Sequence, residues 1–238
     1  MFDLSAKTGR FRRFFWTLLA ALGLSALLLV ATGYSRGESP REVGSDAYQF
    51  VGRIDQNGPV FVGYGYLSAI EGLAPGDLFA DPFNGSAETA HFTYYATATL
   101  TSRSVATDTA RSIFSLDSAG EITFYYQSYP SASFDDPQSF QGGTPIATAA
   151  TNLQDVLSVQ DPNHGLAVTN GTFAIQTATP FTFGAETLRF GHPGVVHQIS
   201  TFGDALRTEP SSPQSTVLLA GNATRSSFQQ IFLPSISR

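Results

Sequence analysis

The sequence predicts an all-β fold: an antiparallel β-barrel, with a β-sandwich as the alternative, preceded by one N-terminal hydrophobic helix. Three observations predict it. Residues 90–105 alternate strictly, with Phe92, Tyr94, Ala96, Ala98 and Leu100 set against Thr93, Tyr95, Thr97, Thr99 and Thr101. That period of two puts one face in a core and a threonine ladder on the other. Short apolar runs, about ten in all, recur between turn clusters without a long amphipathic helix after the N-terminal segment. Lys7 is the only lysine. A sheet without lysine gatekeepers on its edges is better closed into a barrel than left open.

The elements follow in chain order. Residues 14–32, FFWTLLAALGLSALLLVAT, carry no charge and follow Lys7, Arg10, Arg12 and Arg13. As a helix they would span roughly 28 Å, close to the hydrocarbon thickness of a bilayer. The basic cluster stays cytoplasmic, so the remainder is expected outside. Two readings fit residues 1–33. One is a signal peptide cut after Ala31-Thr32-Gly33, giving a secreted or periplasmic protein. The other is an uncleaved single-pass anchor that meets the membrane through residues 14–32, since the run exceeds the usual ~7–15 of a signal peptide. Arg12-Arg13-Phe14-Phe15 resembles the core of a twin-arginine export signal, although Phe11 and Trp16 depart from that pattern. Ordinary positive-inside charges explain the same residues.

Residues 34–47 read as a polar linker, and residues 48–238 as the barrel domain. Within it residues 48–55 and 60–70 form a hairpin around Asn57-Gly58, the strongest short hairpin signal, with Pro59 at the start of the second strand. Val60, Val62, Tyr64 and Tyr66 share one face of that strand, and Phe61, Gly63, Gly65 and Leu67 the other. The two glycines mark space for a ligand or, more simply, a bend or the close approach of an aromatic ring. Residues 71–89 are a long loop. Leu73, Leu78, Phe79 and Phe83 should fold it over the barrel mouth or the core edge.

After the strand at 90–105, residues 112–116 and 121–127 read as a hairpin around Asp117-Ser118-Ala119-Gly120, with Ile122, Phe124 and Tyr126 inward. Residues 128–144 form a second long loop. Residues 145–160 alternate imperfectly, and 152–158 fit a helical turn as well as a strand. Asp161-Pro162-Asn163-His164-Gly165 is a turn. The next strand, 166–178, carries Asn170-Gly171 as a candidate bulge. Pro180 separates it from a strand at 181–190, and Gly191-His192-Pro193-Gly194 turns the chain into 195–202. Residues 203–214 are loop, 215–220 a late strand, and 227–233 a short docking helix.

Composition narrows the function. Four of the 13 basic residues and one of the 19 acidic ones precede Gly33, so beyond it acids outnumber bases 18 to nine, a net charge of −9. Such a surface repels phosphate backbones, and no nucleic-acid partner is expected. The absence of cysteine removes disulfides, thiolate metal sites, a thiol nucleophile and a lipoprotein anchor. Roughly 200 residues suffice for one domain with its own core. Abundant Ser, Thr, Ala and Gly suit a bacterial exported protein. The sequons at Asn84, Asn170 and Asn222 arise readily by chance in such a chain.

No cofactor or metal motif is present. His91, His164, His192 and His197 lack ligand spacing, and Asp135-Asp136 lack the surroundings of a calcium loop. There is no Gly-x-Ser-x-Gly elbow. The polar residues best suited to a pocket are Tyr64, Tyr66 and Tyr94, which carry hydroxyls, and His197 with Glu186 and Arg189 on two adjacent late strands. His197 shares a strand face with Val195, Ile199 and Thr201. Core packing, with the hydroxyl at the edge and the imidazole satisfied, explains the same residues.

The run at 90–105, the hairpin at 112–127, the Phe140-Gln141-Gly142-Gly143-Thr144 corner and the strands after it look like the small barrels of the allene oxide cyclase and dirigent superfamily. The likeness spans about residues 48–202 and lies in strand spacing and Gly/Phe placement. It implies an interior that binds apolar small molecules and shapes their cyclisation or coupling, and it carries no catalytic residue onto this chain. Lipocalin-like barrels have similar spacing. Three functions fit: an exported barrel that binds a small apolar ligand without catalysis or presents a surface to a partner, an allene-oxide-cyclase-like isomerase or cyclase, and a structural envelope domain. A pocket of roughly 300 Å³ or more would separate the first two from the third. A polar group converging on it would favour the enzyme.

Overall fold

The computed structural model describes residues 39–208 and 212–226. Residues 1–38 lie outside them, so the apolar segment at 14–32 does too, as does the docking helix expected at 227–233. Among the described residues there are eleven strands: β1 (Arg41–Val43), β2 (Ala47–Asn57), β3 (Val60–Ile70), β4 (Phe92–Thr107), β5 (Ser112–Tyr126), β6 (Thr144–Asp161), β7 (His164–Ala178), β8 (Phe181–Phe183), β9 (Glu186–Phe190), β10 (Val196–Arg207) and β11 (Ser215–Arg225). Eight of them close an antiparallel barrel in the order β10-β11-β2-β3-β4-β5-β6-β7. The barrel, not the sandwich, is the architecture. Among these residues no helix is long and apolar enough to cross a membrane.

Inward-facing positions follow the period of two. On β10 His197, Ile199, Thr201, Gly203 and Ala205 are buried or inward, while their neighbours are exposed. Bulges interrupt the ladders at Gln49/Phe50, Leu100/Ser102, Phe124/Tyr125, Thr148/Ala149 and Val159/Asp161, and so let long strands curve around a narrow interior. Gly52 and Gly65 lie opposite each other on β2 and β3 under the ring of Tyr94. A Cβ at Gly65 would strike Val51 O and come within 2.7 Å of Tyr94 Oη. Gly65 therefore serves the close approach of the β2 backbone and the Tyr94 hydroxyl, whereas a Cβ at Gly63 would meet only Ala96 and Ile54 at ordinary contact distance.

One end of the barrel is capped. The remaining strands form a small sheet, β1-β9-β8, with β1 parallel to β9. It lays Val43, Phe181, Leu188 and Phe190 against the barrel end. Phe190 meets Phe124 at 4.8 Å between ring centroids and Tyr48 at 5.3 Å, and Phe181 meets Tyr126 at 5.1 Å. Such aromatic pairs add to the burial free energy of each ring.

Several expectations are corrected. Residues 117–120 are not a hairpin turn. β5 runs unbroken through them, because Asp117 to Gly120 pair with β4 on one side and β6 on the other. The hairpin tip lies instead at 108–111, where Asp108 caps Ala110 and Arg111. Residues 152–158 are strand, and Asn170-Gly171 sit in regular register. Residues 181–190 are two strands turned by Gly184 at φ +58°. β10 extends through residues 203–207, which read as loop, β11 runs on past residue 220 to Arg225, and the linker at 34–47 contains β1.

Both long loops pack on the body. Leu78 in the first is buried at the core edge, and Phe79 bridges Ala90 and meets Tyr66. The second, around the 3-10 helix Pro137–Gln141, covers the outer face of β3 and β4 with Phe134 and Phe140. Thr93 Oγ1 donates to Phe140 O at 2.7 Å, and Gln127 Nε2 donates to Ser139 O at 3.0 Å, which pins that loop.

Candidate functional site: the cavity at the uncapped half

The interior narrows to a cavity of about 80 Å³ in the half away from the cap. Its floor is apolar, formed by Phe50, Tyr94, Ile122, Phe173, Ile199 and Leu219. Phe61, Ala96 and Ala98 form one wall. The facing wall is polar: Thr151 and Asp155 from β6, Thr169 from β7 and Thr201 from β10. Asp155 is opposite Thr169 in the β6–β7 ladder, and Thr169 is opposite Thr201 in the β7–β10 ladder. The three side chains therefore make one continuous inward row. Ser118 adds a fourth buried hydroxyl from β5.

Asp155 is the ionisable group that stands out in this lining. Thr169 Oγ1 donates to its Oδ1. Burial pushes the carboxyl above the ordinary aspartate range. The Thr169 hydrogen bond opposes that shift, and the charge of Asp117 adds to it. A carboxyl whose ionisation is resisted, in an apolar hollow, is a natural point for a polar contact with a guest.

The residues expected to form a pocket are dispersed. Tyr94 lines the cavity. Its hydroxyl lies in the core and burial raises its pKa. Tyr64 and Tyr66 point out of the barrel, under the second loop. Tyr64 Oη donates to Asp55 Oδ2 at 2.8 Å, and Asp55 also pairs with Arg53 at 2.6 Å. His197 points inward but sits nearer the cap, where its ring meets Tyr48 at 5.0 Å. Its Nε2–H donates to Ser45 O at 3.0 Å, which leaves Nδ1 buried without a partner. Burial holds its pKa below the ordinary histidine range, against the pull of the Ser45 and Gly44 backbone.

Glu186 and Arg189 are not on a strand next to His197. They belong to β9, which pairs with β1 and β8 in the cap. Glu186 takes an exposed ion pair from Arg41. Arg189 donates to Glu42 at 3.3 Å, and His192 Nδ1 meets the other oxygen of Glu42 at 2.7 Å. Ser45 Oγ also donates to Glu42. Burial raises the Glu42 pKa, but these contacts to His192 and Arg189 outweigh it and hold the carboxyl below its usual value. The Ser45 hydroxyl bonds to the carboxylate and not to the imidazole, so this is no nucleophile–base arrangement. It fastens β1 to β9 and to the turn that follows it, within the cap. Among the described residues no cluster of His, Asp and Glu could hold a metal ion.

Asp155 was missed in the sequence because the imperfect alternation of 145–160 hid its face. Read with a period of two, Thr151, Leu153, Asp155 and Leu157 share one side, a lone carboxylate in an inward series. The comparisons return nothing to set beside this site: no family model, curated protein or solved structure matches the chain.

Proposed function

We propose that the chain is an exported or cell-surface β-barrel binding module that admits a small apolar guest at its uncapped half without catalysing a reaction on it. One observation carries this reading: an apolar hollow in a barrel whose other half is filled by aromatic rings, with its polar groups gathered on one wall. The cavity of about 80 Å³ falls short of the 300 Å³ expected for a ligand pocket, and sites that enclose a drug-sized ligand run to roughly 300–1,000 Å³. The guest is therefore a few heavy atoms in size, or the end of a longer apolar chain. An engineered apolar cavity of about 150 Å³ holds benzene, so a hollow about half that size takes only a smaller guest or one end of a guest that extends beyond it.

Export rests on the basic and apolar residues at 7–32. The cyclase or isomerase reading keeps one supporting observation, a carboxyl aimed into the cavity, but the volume argues against a whole apolar substrate. The structural envelope reading is favoured by that same small volume.

Native mass spectrometry of protein purified from its own host, beside a variant in which Ala96→Phe fills the hollow, tests the proposal. A small adduct present on the first and absent from a folded second supports binding. No adduct, together with unchanged methyl NMR signals of Ile122 and Leu153 on adding 1-butanol, leaves the structural reading.

A further inference from the structure

We propose that the cavity selects a primary ammonium group, Asp155 with Thr169 and Thr201 anchoring the charged head of a short alkylamine whose chain fills the apolar floor. This rests on the binding reading above and replaces its wholly apolar guest with one that carries a charged head on an apolar chain.

The geometry sets a head and a tail. The floor of Phe50, Ile122, Phe173, Ile199 and Leu219 offers carbon to an alkyl chain. The row Asp155–Thr169–Thr201 lies nearer the β6–β7 hairpin tip, at one level of the barrel. It presents carboxylate and hydroxyl oxygens together, which suits the three N–H donors of an ammonium group.

The charges favour a cation. No Lys, Arg or His lines the cavity among the described residues. Asp117 on β5 is the charged neighbour felt by Asp155, and it is also negative. Thr169 from β7 and Thr201 from β10 bring no charge. Arg103 shares the row from β4, but Leu116 stands between it and Asp155. Its guanidinium lies over the Phe114 ring, 5.0 Å from the centroid. A carboxylate held largely out of water without a counter-charge is costly, and a cation at contact distance offsets part of that cost. A butanol-like guest replaces one hydrogen bond only. An anion of the same size meets the like charge of Asp155.

Proton and ammonium compete for the same carboxylate. Ammonium binding should therefore lower the Asp155 titration midpoint, and affinity should rise as pH increases through that midpoint.

The test uses the full chain with three probes of matched size: n-butylammonium, 1-butanol and butyrate. Methyl signals of Ile122 and Leu153 report entry, and the side-chain carboxyl signal of Asp155 reports its titration. The expected result is saturable butylammonium binding, roughly tenfold or more tighter than 1-butanol. Butyrate should not enter, and the Asp155 midpoint should fall on saturation. Asp155→Asn should abolish the ammonium preference and leave 1-butanol binding in place. If that variant does not fold, the Asp155 midpoint in the unaltered protein decides alone. Equal binding of butanol and butylammonium, or an unmoved midpoint, overturns the ammonium assignment while leaving a binding barrel. Failure of all three probes overturns both.

Discussion

The capped and uncapped halves of the barrel are made from the same strands and are packed in opposite ways. Toward the cap, inward positions carry Tyr48, Phe92, Phe124 and Ile175, and the β1-β9-β8 sheet adds Phe181, Leu188 and Phe190. Toward the hairpin tips the same strands turn inward Gly63, Ala96, Ala98, Ser118 and Thr169. Residue size along each strand thus decides where the interior is solid and where it is hollow. A close-packed half can carry the stability of the domain, which allows the other half to stay underfilled and to hold a carboxyl that folding would otherwise reject.

The largest effect that would break this comparison is loss of a ring at the cap. Phe124 is buried and lies between Phe190 at 4.8 Å and Tyr48 at 5.6 Å. Phe124→Ala is expected to cost about 3–5 kcal/mol in urea unfolding. A loss below about 1 kcal/mol would mean that the cap is not where stability resides. Next comes Gly65→Ala, whose methyl would press on the β2 backbone and the Tyr94 hydroxyl. An expected cost of about 1–3 kcal/mol would be read the same way.

The two halves should also differ in the sign of their response to pH. At the cap, His197 and Glu42 both titrate below their ordinary ranges. The unfolded chain then binds more protons than the folded one. The contribution of His197 is complete above the ordinary histidine value and is lost as pH falls through its depressed one. That of Glu42 is lost later, below the ordinary glutamate value. Asp155 is raised, so its contribution is present below the ordinary aspartate value and is lost as pH rises through its folded pKa. In urea midpoints measured from acid to neutral pH, Glu42→Gln should flatten the acid limb. Asp155→Asn should instead raise stability toward neutral pH relative to acid.

Smaller still is the effect of filling the hollow. Ala98→Leu should change stability by less than about 1.5 kcal/mol, since it adds carbon where space exists, and should block the butyl probes seen by NMR. Smallest is Tyr48→Phe. The Tyr48 hydroxyl is buried without a partner, so its removal should be neutral or slightly stabilising.

Much of the fold was legible in the sequence, and the reasons are local. Residues 60–70 and the strand beginning near 90 announce themselves by alternation and by Asn57-Gly58. The failures come where two faces are buried or where turn chemistry lies inside a ladder. Tyr64 and Tyr66 read as cavity residues because they are aromatic, carry hydroxyls and share a face, yet the loop at 128–143 covers that outer face. β3 is therefore buried on both sides, and alternation cannot say which side is inside. Asp117-Ser118-Ala119-Gly120 has the composition of a turn. Only its two flanking strands, set far apart in sequence, hold it extended. The cap strands are three and five residues long, too short to carry a period of their own. For the site, Tyr94 was within reach, and Asp155 lay behind a broken alternation.

The seam of the barrel has a consequence for how the chain is made. β11 pairs with β2, joining Ser215 to Gln56 and Thr224 to Ala47, so the ring closes between the first and last of its strands in sequence. Pairings so distant form late and raise the contact order, and folding slows accordingly. Until Ser215–Arg225 arrives, β2 and β10 stand as two open edges that any second chain could extend. A chain ending before Ser215 would keep both edges, and its fate should be self-association in place of a weaker barrel.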